Sequence, residues 1–156
     1  MPNTLAKEFK NKPTVRYFKM PPKKKSTEGK SLARIIAQEV LENMADWVLV
    51  IDHKTHKWAY SNPASQRLIG YTSAEIVGQD TLTSKIIPLE SKKVVKKNWE
   101  KLVEEGFLAG VEIELFHKDG RRIPVSYSEG VIKNQKGEIT HRIAIIRDIS
   151  ETKELL

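Results

Sequence analysis

The hydrophobic pattern of this chain changes period at Gly106, and few architectures tolerate such a change. Up to Glu105 the apolar residues Val94, Val95, Trp99, Leu102 and Val103 recur at helical spacing, whereas Val111, Ile113 and Leu115 alternate with Glu112 and Glu114. A period near 3.6 lays a stripe along a helix, and a period of two covers one face of a strand. Gly106 falls where the helix must end, and glycine adopts the left-handed closing conformation without steric cost. Downstream, Asp119-Gly120 and Lys136-Gly137 are turn dipeptides that separate a strand around 111–115 from strands over 123–132 and 139–149. Turns this short join antiparallel neighbours. The last third of the chain therefore reads as an antiparallel meander entered from a helix over 90–105.

Upstream, Ser31 precedes Leu32, Ile35, Ile36, Val40, Leu41 and Met44 at helical spacing, which predicts an amphipathic helix over 31–45 with Ser31 at its cap. Trp47 to Ile51 and Lys57 to Tyr60 read as two strands around the polar turn His53 to His56. Asn62-Pro63 suits a helix start with Asn62 as cap, and Thr72-Ser73-Ala74-Glu75 suits a capping box. The order is helix, two strands, short helices, a longer helix and three antiparallel strands, an α+β domain. In Trp47 to Ile51 both alternating faces are apolar, so the face turned away from the core needs a cover. The 31–45 helix, alone or with its copy from a second subunit, is available for it.

A chain of 156 residues with 39% hydrophobic content supports one compact core. It contains no cysteine, which removes disulfides, cysteine-ligated zinc and thiolate nucleophiles. The net charge of +7 is unevenly placed: residues 1–30 hold nine Lys or Arg against two acids, and residues 31–156 hold eighteen of each sign. Attraction to nucleic acid or an anionic surface is thus confined to the leader 1–30, rich in Pro and Lys. No run approaches the roughly 18 to 20 apolar residues of a membrane span, no secretory signal opens the chain, and no Asn is followed by an acceptor Ser or Thr. The expected location is cytoplasmic.

Five segments resemble the PAS domain family across about 120 residues from Ile35 to Leu155. They are Ala45 to Asp52, Tyr60 to Ala64, Leu68 to Gly78 (LIGYTSAEIVG), His117 to Val125 (HKDGRRIPV) and Arg147 to Lys153 (RDISETK), the last with serine for the family's threonine. The resemblance implies a PAS core over 46–149, a five-stranded antiparallel sheet with short helices on one face enclosing a small cavity. It also implies a sensor of a ligand, cofactor or partner, passing its signal through Asp148 and Ser150 into a helix that starts over 150–156. The chain stops at Leu156, where an output domain such as a histidine kinase of a two-component system, or an adaptor partner, is expected to begin.

The resemblance places the elements of Asn62, Ile69, Trp99, Val103, Val125 and Tyr127 around the cavity, although ordinary core packing competes for each. It implies a homodimer through Leu32, Ile35, Ile36, Leu49 and Ile51. The cofactor is left open: cysteinyl-flavin photochemistry needs the absent cysteine, and haem is disfavoured because 90–105 holds no histidine. His53 and His56 form an H-x-x-H pair in a turn, expected to be solvated rather than metal-binding. Glu129 shares a strand face with Val125, Tyr127 and Val131, so it is a paired interior carboxylate, a pocket contact or a bulge to solvent, the last being the expectation. Gly29-Lys30-Ser31 is not a phosphate loop, because Lys24 stands where the first glycine is required. No catalytic constellation is present, so the domain itself is expected not to be an enzyme. The competing expectation is a nucleic-acid or anionic-surface binding regulator acting through the leader.

Overall fold

The structure, a computed structural model, describes residues 31–154. The leader 1–30, with its expected nucleic-acid contacts, and the last two residues of the expected helix 150–156 lie outside the described residues. The elements are α1 (Leu32–Asn43), β1 (Trp47–Asp52), β2 (Trp58–Ser61), α2 (Ala64–Ile69), α3 (Ser73–Ile76), α4 (Leu89–Glu105), β3 (Phe107–Phe116), β4 (Arg122–Lys133), β5 (Ile139–Asp148) and α5 (Ser150–Glu154).

The five strands form one antiparallel sheet in the order β2-β1-β5-β4-β3, so the first strand pairs with the last. This closure brings the residue just before β1 beside the end of β5: Arg147 donates to both carboxylate oxygens of Asp46, at 3.2 and 3.0 Å. The change of period lies where the sequence places it. Gly106 takes φ 78°, and its N–H donates to Leu102 O at 2.7 Å to close α4.

Pairing fixes which side chains share a face. Trp47, Leu49 and Ile51 lie opposite Ile146, Ala144 and Arg142, and Tyr127 and Glu129 lie opposite Ile146 and Ala144. All eight project from one side and are buried there beneath α4 and the short helices. Thr72 and Glu75 complete the capping box expected at α3. At α2 the outcome differs, because Asn62 does not cap it. The Asn62 side chain instead accepts from Val48 N–H at 2.9 Å and donates to Leu41 O and Asp46 O, each at 3.0 Å. A fully buried amide with three backbone partners ties the end of α1 to β1.

α1 has no buried residue, and Leu32, Ile35, Ile36 and Val40 are exposed along it. Leu49 and Ile51, expected at a subunit interface, are buried in the core instead. The reason is alternation: the face of β1 turned away from the helices belongs to Val48 and Val50.

Candidate ligand cavity and signal junction

A cavity of about 50 Å³ lies between the inner sheet face and the helical layer. Its walls are mostly apolar: Trp47, Leu49 and Ile51 from β1, Trp58 from β2, Ile86 and Ile87 ahead of α4, and Val95 from α4. The two indoles meet edge to face with centroids 6.2 Å apart. Each indole N–H is satisfied, Trp47 donating to Ser61 Oγ and Trp58 to Thr81 Oγ1, both at 2.8 Å. Aromatic walls with anchored polar edges hold their shape, since each ring is fixed by packing and by a hydrogen bond.

The lining residues with polar side chains are Thr81 between α3 and α4, Tyr127 and Glu129 on β4, and Arg142 on β5. Glu129 does not bulge to solvent. It is only 3% exposed, and Arg142 only 1%. The two form a diagonal cross-strand pair, because Arg142 lies opposite Val131, two residues beyond Glu129. Arg142 Nη1 and Glu129 Oε1 are 3.4 Å apart, in an orientation that makes no hydrogen bond. Glu129 Oε1 and Arg142 Nε are both buried without a hydrogen-bond partner. Burial pushes the Glu129 carboxyl up to about 7 against the opposing pull of Arg142. Burial likewise lowers the guanidinium and raises the Tyr127 phenol.

The turn between β1 and β2 closes over this end of the cavity. Arg142 Nη2 meets His56 Nδ1 at 3.0 Å, its guanidinium carbon lies 5.0 Å from the Trp99 ring centre, and His56 stacks on Trp99 at 4.3 Å. The backbone of His56 is at φ 61°, a conformation costly for a residue other than glycine that this stack helps to hold. His53 and His56 are thus half-buried rather than solvated. Burial, then the charge of Arg142, lowers both imidazoles below their ordinary value. Among the described residues no group of three His, Asp or Glu is placed to hold a metal ion.

Of the residues the resemblance places around the cavity, Tyr127 lines it. Ile69 and Val125 are fully buried in the surrounding core, and Trp99 packs against that core while covering Arg142. Asn62 is the clamp on Val48, and Val103 points outward, 46% exposed. Sequence reasoning missed Arg142. Its signal was the parity that sets it on the face of Ala144 and Ile146.

At the end of β5, Asp148 Oδ1 accepts from Ser150 N–H at 2.8 Å, at the first turn of α5. Lys153 of α5 reaches back to Glu112 of β3 at 3.1 Å.

An antiparallel five-stranded sheet, helices over one face and a cavity between the two layers define a class of sensory input folds. The chain belongs to the PAS domain family, whose family model matches residues 45–151. Among solved structures it is similar to a PAS domain from Colwellia psychrerythraea, at TM-score 0.66 and 22% identity over 75% of this chain and 98% of that one. It is also similar to a PAS domain from a two-component sensor histidine kinase, at TM-score 0.60 and 15% identity over 75% and 96% of the two chains. The Vibrio cholerae VqmA dimer, described as informative for DNA binding by LuxR-type receptors, matches at TM-score 0.61 and 17% identity over 80% and 55%. None of the curated proteins is similar to the chain in sequence. At these identities the structural matches show the fold. No helix among the described residues is long and apolar enough to cross a membrane.

Proposed function

We propose that this PAS domain is the sensory and dimerisation module of a signal-transduction protein. A small molecule in the cavity is its stimulus, and the response passes through Asp148, Ile149 and Ser150 to an output domain such as a histidine kinase. One observation carries this reading: β5 supplies Arg142, Ala144 and Ile146 to the cavity wall and ends in the carboxylate that holds the first turn of α5. A displacement of that strand reaches the helix with no intervening element. The domain itself does no chemistry in this reading.

The test is the set of amide resonances of Glu151 to Glu154. Filling the cavity with Ala144→Val and enlarging it with Ile146→Val should both move them. Two folded variants that leave all four unmoved would refute the relay. A second reading rests on the charge partition, in which the leader alone binds nucleic acid or an anionic surface. There, binding to duplex DNA should weaken steeply with salt and vanish when 1–30 are deleted, and equal mobility with and without DNA at low salt would sink it.

A further inference from the structure

Resting on the reading of the cavity as a sensory pocket, we propose that its ligand is a small apolar molecule without a hydrogen-bonding group, a hydrocarbon-like body of about three to five heavy atoms. Six of the lining side chains carry a nitrogen or an oxygen, yet almost all of the surface they turn to the cavity is carbon. Two of the six are the indoles, whose N–H groups are taken up by Ser61 and Thr81. The Thr81 hydroxyl, which accepts from Trp58, donates its own hydrogen to His56 O at 3.3 Å. The Tyr127 hydroxyl is engaged by the Asn98 side chain of α4. Arg142 carries its guanidinium beneath Trp99 to His56 on the β1–β2 turn, with Glu129 Oε1 at 3.4 Å from Nη1. Neither Glu129 Oε1 nor Arg142 Nε has accessible surface. The charged pair therefore stands behind the wall and offers an occupant nothing but its carbons.

Water is a poor occupant of such a space. A buried water needs about two to four polar partners, and cavities that lack them stay dry. A dry cavity leaves its lining atoms without contacts on one side, and a body of carbon restores those contacts without stranding a donor or an acceptor. A ligand carbonyl or hydroxyl would give up its hydrogen bonds to water and gain none here. An ionised ligand fares worse still, because the guanidinium is turned away from the cavity and already faces Glu129. Size sets the upper limit. At roughly 10 to 15 Å³ for each water-sized body, a cavity of about 50 Å³ takes a molecule between propane and isoprene in extent.

The experiment adds three planar probes of the same outline, isobutene, acetone and acetate, to the full chain and follows the methyl resonances of Leu49, Val95, Ala144 and Ile146. Isobutene should shift them saturably, acetone should bind at least about tenfold more weakly, and acetate should leave them unmoved. Ala144→Val fills the space and should remove the isobutene shifts at Leu49 and Val95. Should that variant not fold, the three probes on the wild type decide by themselves. Acetone or acetate binding as tightly as isobutene would overturn the proposal while leaving the sensory reading intact, and isobutene shifts that persist in Ala144→Val would overturn it by placing the binding elsewhere. Isobutene bound with the Glu151 to Glu154 amides unmoved would uphold the ligand class and count against the relay. Binding of none of the three would overturn the proposal, and the sensory reading then falls with it only if the α5 resonances also stay unmoved in the cavity variants.

Discussion

Glu129 carries a carboxyl that burial holds near 7, against 4.5 as its ordinary value. The folded state therefore binds this proton more tightly than the unfolded chain. The resulting stabilisation is fully present below about 4.5 and is lost as pH rises through 7. Glu129→Gln abolishes that dependence, while the contributions of His53 and His56 remain in both proteins. Between pH 5 and pH 8 the wild type should lose about 2 to 3 kcal/mol relative to the variant, read from urea unfolding at the two values. A difference that does not change with pH would mean that Glu129 is ionised in the folded protein throughout. Asn62 makes the opposite kind of buried polar contact, with every partner in place. Asn62→Ala strands Val48 N–H and two carbonyls and should cost about 2 to 4 kcal/mol with little pH dependence. The face of Glu129 was legible from parity along β4. Parity along β5 likewise sets the face of Arg142, but that Arg142 meets Glu129 follows from the β4–β5 register, which no local pattern in the sequence sets.

At the scale of elements, local signals read well wherever the deciding forces are local. The period change at Gly106, the capping box at Thr72 and the turn at Asp119-Gly120 rest on neighbouring residues, and all three stand in the structure. Asn62 misled for the converse reason: its local reading as a cap competes with three long-range backbone partners, and those prevail. Leu49 and Ile51 show the same limit. Alternation assigns the two faces of β1, but only the packing of α4 and the loop at Ile86 and Ile87 decides which face is inside. β5 is the element on which cavity and junction meet, and Asp148 is its last residue. Asp148→Ala removes the acceptor for Ser150 N–H and should cost the junction about 1 kcal/mol. Amide exchange at Glu151 to Glu154 should quicken while exchange in β1 and β4 stays as it was. Equal slowing or quickening in all of them would place Asp148 in the general stability of the sheet instead.

For the whole molecule, α1 raises the question of what holds it. A helix of 12 residues is marginal in water by itself, and α1 buries no side chain in the described residues. Its backbone is tied to the domain at Leu41, yet Leu32, Ile35, Ile36 and Val40 stand exposed at i, i+3, i+4 and i+8. The outer sheet face nearby exposes Tyr60 and Ile145 as well. A second copy offers both the matching stripe and the matching sheet face, which a two-fold arrangement would cover at once. Folding of α1 and dimerisation are then one equilibrium, so helicity should rise with protein concentration. Ile36→Asp places a charge in the middle of the stripe without touching the cavity or the junction. It should turn a dimer into a monomer in sedimentation equilibrium, lower the helical signal by the share α1 contributes, and leave the tryptophan fluorescence of the cavity walls unchanged. A wild type that sediments as a monomer at its highest soluble concentration would show that something other than a second copy covers the stripe.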